Sequence, residues 1–466
     1  MKKLLPKKYR RLLWAGLLVC LILYVLGSLL APPLAGTQRK SDRQIKLPVP
    51  AAERVCLVDG NEEALLWRLR LIRSAQSEIV LSTFDFRVDE SGSDVVAALL
   101  DAAERGVQVR LLVDGMNAQL HLQGSAAFQA LAVHENAEVR FYNPLRLTRL
   151  WTVNYRCHDK YLIIDRGAYL MGGRNTNDLF LGSGGTTRQN MDRDVVVCGD
   201  GSGRGSVTAL LDYFEDIWEV DTNREFRVNG EKGTVQRAAA ALGERWAAIT
   251  GAGRVTPIDW DAETIQANGV TVLHGDCAAR NKEPVLLNTL TALMQGGRER
   301  IVVQTPYIIC NRAMYDALQK AATGAAQVQI ITNAPQSGAN PWGCADYLNQ
   351  KKTILSTGVS VCEWHGERSM HTKTILIDGR FSIIGSFNWD MRSAYLDTEL
   401  MLLVDCPELN AALRAEADEM VRQGRLLLPD GTAVEGAAYT APEMPLYKKL
   451  LQPVLRVVIR PFRYVL

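Results

Sequence analysis

Apolar and polar positions along this chain change period in a fixed order, and the order occurs twice. Residues 79–86, IVLSTFDF, and 107–114, VQVRLLVD, are short apolar runs rich in β-branched side chains, the pattern of buried strands. Between them SDVVAALLDAAERG carries apolar residues at helical spacing and ends on Gly106, a helix stop. The same succession returns as IVVQTPYI at 301–308, AMYDALQKAATG ending on Gly324, and AQVQIITN at 326–333. A third pair of strands is predicted at EVRFY, 138–142, and SVCEW, 360–364. The paired runs lie 222, 219 and 222 positions apart. Conserved order and spacing within one chain predict two copies of one structural unit. Each copy reads as strand, helix, strand, helix, strand and hairpin, which implies a largely parallel sheet with helices on both faces.

The predicted fold is therefore α/β: two tandem units, each a mixed, mostly parallel sheet flanked by helices, related by a pseudo-twofold axis. The first unit with its connecting helix, GTVQRAAAALGERWAAI, is assigned to 51–250 and the second to 251–430. A chain of 466 residues is long enough for two such cores.

The N-terminus departs from this pattern. MKKLLPKKYRR carries six cationic side chains, and Leu12–Ala31 follows without one charge. Twenty apolar residues suffice to cross a bilayer as a helix. The run is longer than the apolar part of a signal peptide and lacks a small-x-small cleavage site, so it is read as an uncleaved single-pass anchor. The cations ahead of it outnumber Arg39, Lys40, Arg43 and Lys46 beyond it, which predicts a cytoplasmic N-terminus and an extracytoplasmic catalytic domain. Residues 1–50 are thus tail, span and a Pro-rich spacer. The C-terminal stretch 431–466 mixes Leu, Val and Ile with five cations after 445, and is read either as a segment lying on anionic lipid or as a helix docked on the domain.

Net charge is only +2, so the bulk composition gives no sign of a polyanionic partner, and nucleic acid is not the expected substrate. Nine cysteines show no C-x-x-C spacing, and no zinc site, redox pair or other cofactor site is read from them.

The chemistry is concentrated in HDKYLIIDRGAYLMGGRN at 158–175 and HTKTILIDGRFSIIGSFN at 371–388. Each is a strand, a turn at Asp-x-Gly or Asp-Gly, and a return strand. With the turns centred after Arg166 and Gly379, Asn175 is expected opposite His158 and Asn388 opposite His371. Lys160 and Lys373 point to the same face as the histidines two residues before them. Asp165 and Asp378 lie roughly 23 Å from their histidines along an extended strand, so their expected work is to shape the turns and accept backbone donors. A histidine, a lysine and an amide form a grip for a phosphate oxygen. Two such clusters suit a two-step phosphodiester exchange, one imidazole attacking phosphorus while the other serves as acid and then base. No metal is required. A reacting histidine needs a carboxylate on its other nitrogen; DRD at 192–194 and DTE at 397–399 offer candidates, of which Asp194 and Glu399 are favoured.

The paired H-x-K-x(4)-D-x(6)-G-[GS]-x-N blocks resemble the phospholipase D superfamily, and NWDMRSAYLDTE after the second block, with RFYNP and GGRNTND, resembles its bacterial cardiolipin synthase branch. The resemblance runs from about 55 to 425, and a doubled motif in register is far more specific than either half. It implies a phosphohistidine intermediate on His158, with His371 as general acid and base. It also implies carboxylates exchanged between copies, Asp194 orienting His371 and Glu399 orienting His158. One departure is Asp397, where the synthases carry Asn.

The expected activity is condensation of two phosphatidylglycerols to cardiolipin and glycerol, at the membrane that supplies the substrate. The competing readings are phospholipid hydrolysis, an anchored exonuclease, and a degenerate scaffold, the last opposed by the presence of both histidines, lysines and asparagines. DRD is also considered as a magnesium site, GSGGTTRQN at 182–190 as a lid, and Trp151, Trp364 and Trp389 as the lining of a lipid mouth or simply core.

Overall fold

The computed structural model describes residues 7–182, 189–199, 201, 205–325 and 327–466. Six of the nine residues of the lid candidate, 183–188, lie outside them. Among the described residues the strands form two nine-stranded sheets and two two-stranded ones. The first runs from Ile265–Gln266 through Arg54–Val58, Asp194–Cys198, Ala168–Gly172, Tyr161–Ile164, Glu78–Thr83, Gln108–Asp114 and Ala137–Tyr142 to Arg224–Glu225. The second begins at Gly269–His274 and repeats the order with Leu400–Asp405, Phe381–Gly385, Thr374–Ile377, Arg300–Gln304, Gln327–Asn333 and Ser360–Trp364. Both sheets are mixed. Parallel pairing joins the three strands linked by helical crossovers, and the motif hairpin and the strand after it are antiparallel.

The predicted helices form for the local reasons expected of them. Glu90–Glu104 starts at Asp89, whose side chain accepts from Gly92 N, and stops before Gly106 at φ +90°. Its counterpart Arg312–Gly324 is capped by Asn311, which accepts from Met314 N at 3.0 Å. Each such cap contributes about 1 kcal/mol. The connecting helix is Lys232–Gly251; its Val235, Leu242 and Trp246 are buried over the outer face of the first sheet, in one cluster with Val95, Leu99 and Phe128.

A second core lies between the units. Val55, Val80, Ile163 and Val197 of the first sheet share it with Val270, Val302, Leu376 and Leu402 of the second. Helices Ser206–Trp218 and Pro407–Gln423 contribute Leu210, Phe214, Leu409 and Leu413 to it. Burying a side chain of this size stabilises by roughly 1.5–3 kcal/mol, so this shared core holds the two units together.

The N-terminal helix spans Lys7–Gly36, five residues past the end of the apolar run and through Pro32 and Pro33, and it is long and apolar enough to cross a membrane. Its last turns are clamped to the domain: Asn154 Nδ2 donates to Leu29 O at 2.8 Å and Asn311 Nδ2 to Thr37 O at 2.7 Å. The stretch read as a spacer lies along the second unit, with Asn288 Nδ2 donating to the carbonyls of Ser41 and Arg43 and Ile45 N donating to Thr289 Oγ1. Backbone donors and acceptors satisfied in this way make it a strap rather than a free linker. The C-terminal residues form a helix, Leu446–Val458, that passes through Pro453 and packs on Pro341–Leu355.

Candidate active site

Each histidine block reaches the opposite unit before it enters its own sheet. Ser369–Met370 pairs in parallel with Asn190–Met191, and His371 N donates to Met191 O at 2.7 Å. In the other unit Cys157 bridges Thr398, whose Oγ1 accepts from His158 N at 3.2 Å. These two stitches bring the carboxylate of one copy against the imidazole of the other. His158 Nδ1 lies 3.0 Å from Glu399 Oε1, and His371 Nδ1 lies 2.6 Å from Asp192 Oδ2.

Asp192 therefore occupies the place expected of Asp194. The register explains it: Gly172 faces Asp194 while its counterpart Gly385 faces Met401, so Glu399 corresponds to Asp192, two positions earlier. Asp194 is fully buried between Arg68 Nη1 at 2.9 Å and Arg174 Nη1 at 3.5 Å, a structural ion cluster. Arg193, between them, crosses to the second unit, where it donates to Gln304 Oε1 and Thr374 Oγ1 and pairs with Glu416. The three residues of DRD thus face three different partners. Among the described residues no group of carboxylates, imidazoles and thiols is gathered as a metal site.

The hairpin register also differs from the simple count by one. Ile164 faces Ala168 and Ile377 faces Phe381, leaving three-residue loops. Extended outward, this register sets Arg174 and Phe387 opposite the histidines, with Asn175 and Asn388 one step beyond. Asp165 and Asp378 open the loops at φ +49° and +51°, a left-handed conformation that Asp tolerates. Their carboxylates sit at the turns as expected. Asp165 accepts from the backbone N of Gln76, Ser77 and Glu78 at 2.8–2.9 Å, and Asp378 from Arg298, Glu299 and Arg300 at 2.9–3.1 Å. Burial would raise both carboxyls, but these donors outweigh it and hold them below the usual carboxylate range.

The glycines of G-[GS]-x-N are required by close approach. A Cβ on Gly172 would lie 2.2 Å from Asp194 Oδ1, and one on Gly385 2.1 Å from Leu400 O. At the next position a Cβ on Gly173 would meet Asp192 Oδ1 at 2.3 Å, whereas the second copy has Ser386, whose Oγ donates to Glu399 Oε2.

Lys160, Lys373, Asn175 and Asn388 are all buried beside the histidines in sequence. Lys160 Nζ donates to His158 O, and Lys373 Nζ lies 3.3 Å from His371 Nε2 and 3.5 Å from Asp192 Oδ2. The Oδ1 atoms of Asn175 and Asn388 are buried without a hydrogen-bond partner in the protein. Two aromatic rings that the motifs do not signal complete the walls: Phe84 and Phe180 set their edges on His158 and His371, each at 5.0 Å between centroids. Trp364 and Trp389 are core, while Trp151 is exposed. Asp397 is buried and paired with Arg392 at 3.0 Å, with Oδ1 also accepting from Arg156 N, so its charge is neutralised within the protein.

The electrostatics of the two pairs differ. Burial, then Lys160, hold the His158 imidazole well below its usual range, and burial with Lys373 brings His371 down to about 4. Burial pushes Glu399 up to about 8. Burial acts on Asp192 in the same sense, but Lys373 and His371 outweigh it and keep Asp192 well below the usual carboxylate range. Burial also lowers Lys160 to about 8. The firmly ionised carboxylate therefore stands beside His371.

The site thus holds two imidazoles on exchanged carboxylates, each copy with a buried lysine and a buried asparagine. The chain matches the family described as cardiolipin synthase, PLD-like domain, over residues 69–218 and 290–421, more than half its length, and it belongs to that family within the phospholipase D superfamily. It is 25% identical over 391 residues to cardiolipin synthase C of Escherichia coli K12, covering 74% of this chain and 80% of that one. It is 24% identical over 377 residues to cardiolipin synthase A of Salmonella arizonae, covering 80% and 70%. An uncharacterized protein of Helicobacter pylori J99 is 23% identical over 421 residues, with 80% of each chain covered. In fold it is similar to phosphatidylserine synthase of Haemophilus influenzae Rd KW20, with a TM-score of 0.64 at 17% identity, over 90% of this chain and 98% of that one.

Proposed function

We propose that this chain, a phosphatidyltransferase of the phospholipase D superfamily, condenses two phosphatidylglycerols into cardiolipin and glycerol. The observation that carries the reading is the exchanged pair of histidine–carboxylate contacts in a chain whose matched relatives include two named cardiolipin synthases. The anchor helix, clamped to the same domain, supports a lipid rather than a soluble substrate.

With Nδ1 engaged by a carboxylate, Nε2 is the nitrogen left to react at each histidine. His158, whose imidazole resists protonation, attacks the phosphorus of the first lipid. The P–O bond to the headgroup glycerol breaks, and the leaving oxygen takes a proton from His371, whose imidazolium the ionised Asp192 stabilises against the burial and Lys373 that bring it down to about 4. A headgroup hydroxyl of the second lipid then returns its proton to His371 and attacks phosphorus, releasing His158. Lys160, Lys373, Asn175 and Asn388 would hold the non-bridging oxygens as charge builds. In this reading Asp165 and Asp378 act only by fixing the turns, and the catalytic domain faces outward from a cytoplasmic N-terminus.

The test is to incubate purified protein with phosphatidylglycerol liposomes in chelator and follow products by mass spectrometry, alongside His158→Ala and His371→Ala. Cardiolipin and glycerol in equal amounts, lost in both variants, is the expected result. Phosphatidic acid alone would replace transfer by hydrolysis, and no lipid product at all would overturn the lipid reading.

A further inference from the structure

We propose that the C-terminal helix Leu446–Val458 is a membrane seat, its outward face lying in the interfacial layer of the bilayer that the N-terminal helix enters. The helix is built inside out for a protein in water. Leu446, Leu450, Val454 and Val457, spaced four, four and three apart, form one stripe, and they are 72, 68, 57 and 66% exposed. Ile459 is buried and Tyr464 and Leu466 pack on the domain core, but the side-chain hydrogen bonds that the helix and the turn after it donate to the domain come from cations. Lys448 is buried and donates to the carbonyls of Gln336 and Gly338 at 2.7 and 2.9 Å. Arg456 donates to Asn349 Oδ1 at 2.9 Å, and Arg463 grips the buried Asp346 with two bonds of 2.9 Å. A surface helix ordinarily turns its charges outward and its leucines in. The reverse arrangement leaves a contiguous apolar stripe that water does not favour.

The position of the helix identifies what covers the stripe. Apart from Tyr24 and Val25, which face the turn at Leu147, the N-terminal helix is exposed from Tyr9 to Gly27, a length of roughly 28 Å at 1.5 Å per residue, the thickness of a hydrocarbon core. The domain closes on it from Ser28 onward, so the protein surface around that point lies at the level where the bilayer ends. Two elements meet the helix there. The turn Leu147–Thr152, whose Leu147 O accepts from Tyr24 Oη at 2.8 Å, exposes Leu147 and Trp151. The turn Arg463–Val465, just beyond the C-terminal helix, also packs against the span. Exposed Lys449 and Arg460 border the stripe, which suits anionic headgroups rather than a second copy of an equally cationic surface.

The seat is joined to the site by one side chain. Arg392 donates to Val465 O at 3.1 Å and to Asn154 O at 2.8 Å, and it pairs with Asp397, two positions before Glu399. Arg392 thereby links the seat to the segment that carries Glu399.

Photo-crosslinking tests the seat without using the reaction, so its outcome is separate from that of the function proposed above. Benzoylphenylalanine is placed at Leu450, at Val457 and, as a control, at the exposed Val133 in the full chain, reconstituted in nanodiscs of phosphatidylethanolamine and phosphatidylglycerol. Lipid acyl adducts at 450 and 457 but not at 133 are expected. Adducts to a second protein chain, no adduct at 450 and 457, or equal labelling at 133 would each overturn the seat. With the probe at Val454, the double change Leu450→Asp and Val457→Asp, both at exposed positions, should cut lipid labelling by roughly tenfold or more while the melting temperature holds. Labelling that is unchanged in that variant would also overturn it.

Discussion

Asp192 and Asp194 stand two positions apart and hold different cations. Asp192 lies on the His371 imidazole, whereas Asp194 is fully buried on Arg68 and Arg174. Asp192→Asn should therefore cut kcat by roughly 10²–10⁴-fold with little change in melting temperature, since it removes the group that equips His371 to move a proton. Asp194→Asn should do the reverse in kind, destabilising by about 3–5 kcal/mol because two buried guanidinium groups lose their counterion. Thermal melts and steady-state kinetics on the two variants separate the roles. Lys160 gives a second expectation. Its folded pKa near 8 lies below the unfolded lysine value of about 10.4, so folding opposes its charge. That cost is fully present below pH 8 and fades as pH rises toward 10.4. Lys160→Met should then lose activity yet melt higher at pH 7, with the gain narrowing by pH 10. A melting temperature that falls at pH 7 would show that the ammonium stabilises the fold. At this scale the motif residues were legible from spacing alone, but the choice between Asp192 and Asp194 was not. The inserted 182–190 stretch breaks the count from Gly172, and only strand register restores it.

The hairpins show how an element uses its sequence. Both run into three-residue loops because an aspartate takes the left-handed position and binds three backbone N–H groups of the neighbouring loop. The turn centres read from the sequence, after Arg166 and Gly379, misplaced the asparagines by one step. The glycines that follow have a sharper requirement. Gly385→Ala would drive a Cβ to 2.1 Å from Leu400 O, next to Glu399, so the strand carrying that carboxylate must move. The variant should lose stability by about 1–3 kcal/mol and lose transferase activity disproportionately. Equal losses in stability and rate with a wild-type site, judged by phosphohistidine trapping, would contradict this. Helix ends, by contrast, were readable from Gly106 and Gly324, since stops act within a few residues.

On the scale of the whole molecule the two units complete each other. His158 depends on Glu399 and His371 on Asp192, and Arg193 is satisfied almost wholly by partners from the second unit and Asp59. Chains cut within 252–254, after the connecting helix, and expressed separately should be inactive, each lacking its carboxylate and exposing the shared core, and activity should return only when both pieces are co-expressed. Activity from either piece alone would show that the exchanged contacts are dispensable.

The duplication, the apolar span and the pairing of histidine, lysine and asparagine were determined by the sequence alone, because periodicity, length and repeat spacing are local or one-dimensional properties. The tertiary structure alone decided which carboxylate meets which imidazole, that the expected spacer is a strap, and that the C-terminal helix turns its leucines outward. Each of these depends on strand register or on contacts between residues far apart in the chain, and no count along the sequence contains that distance.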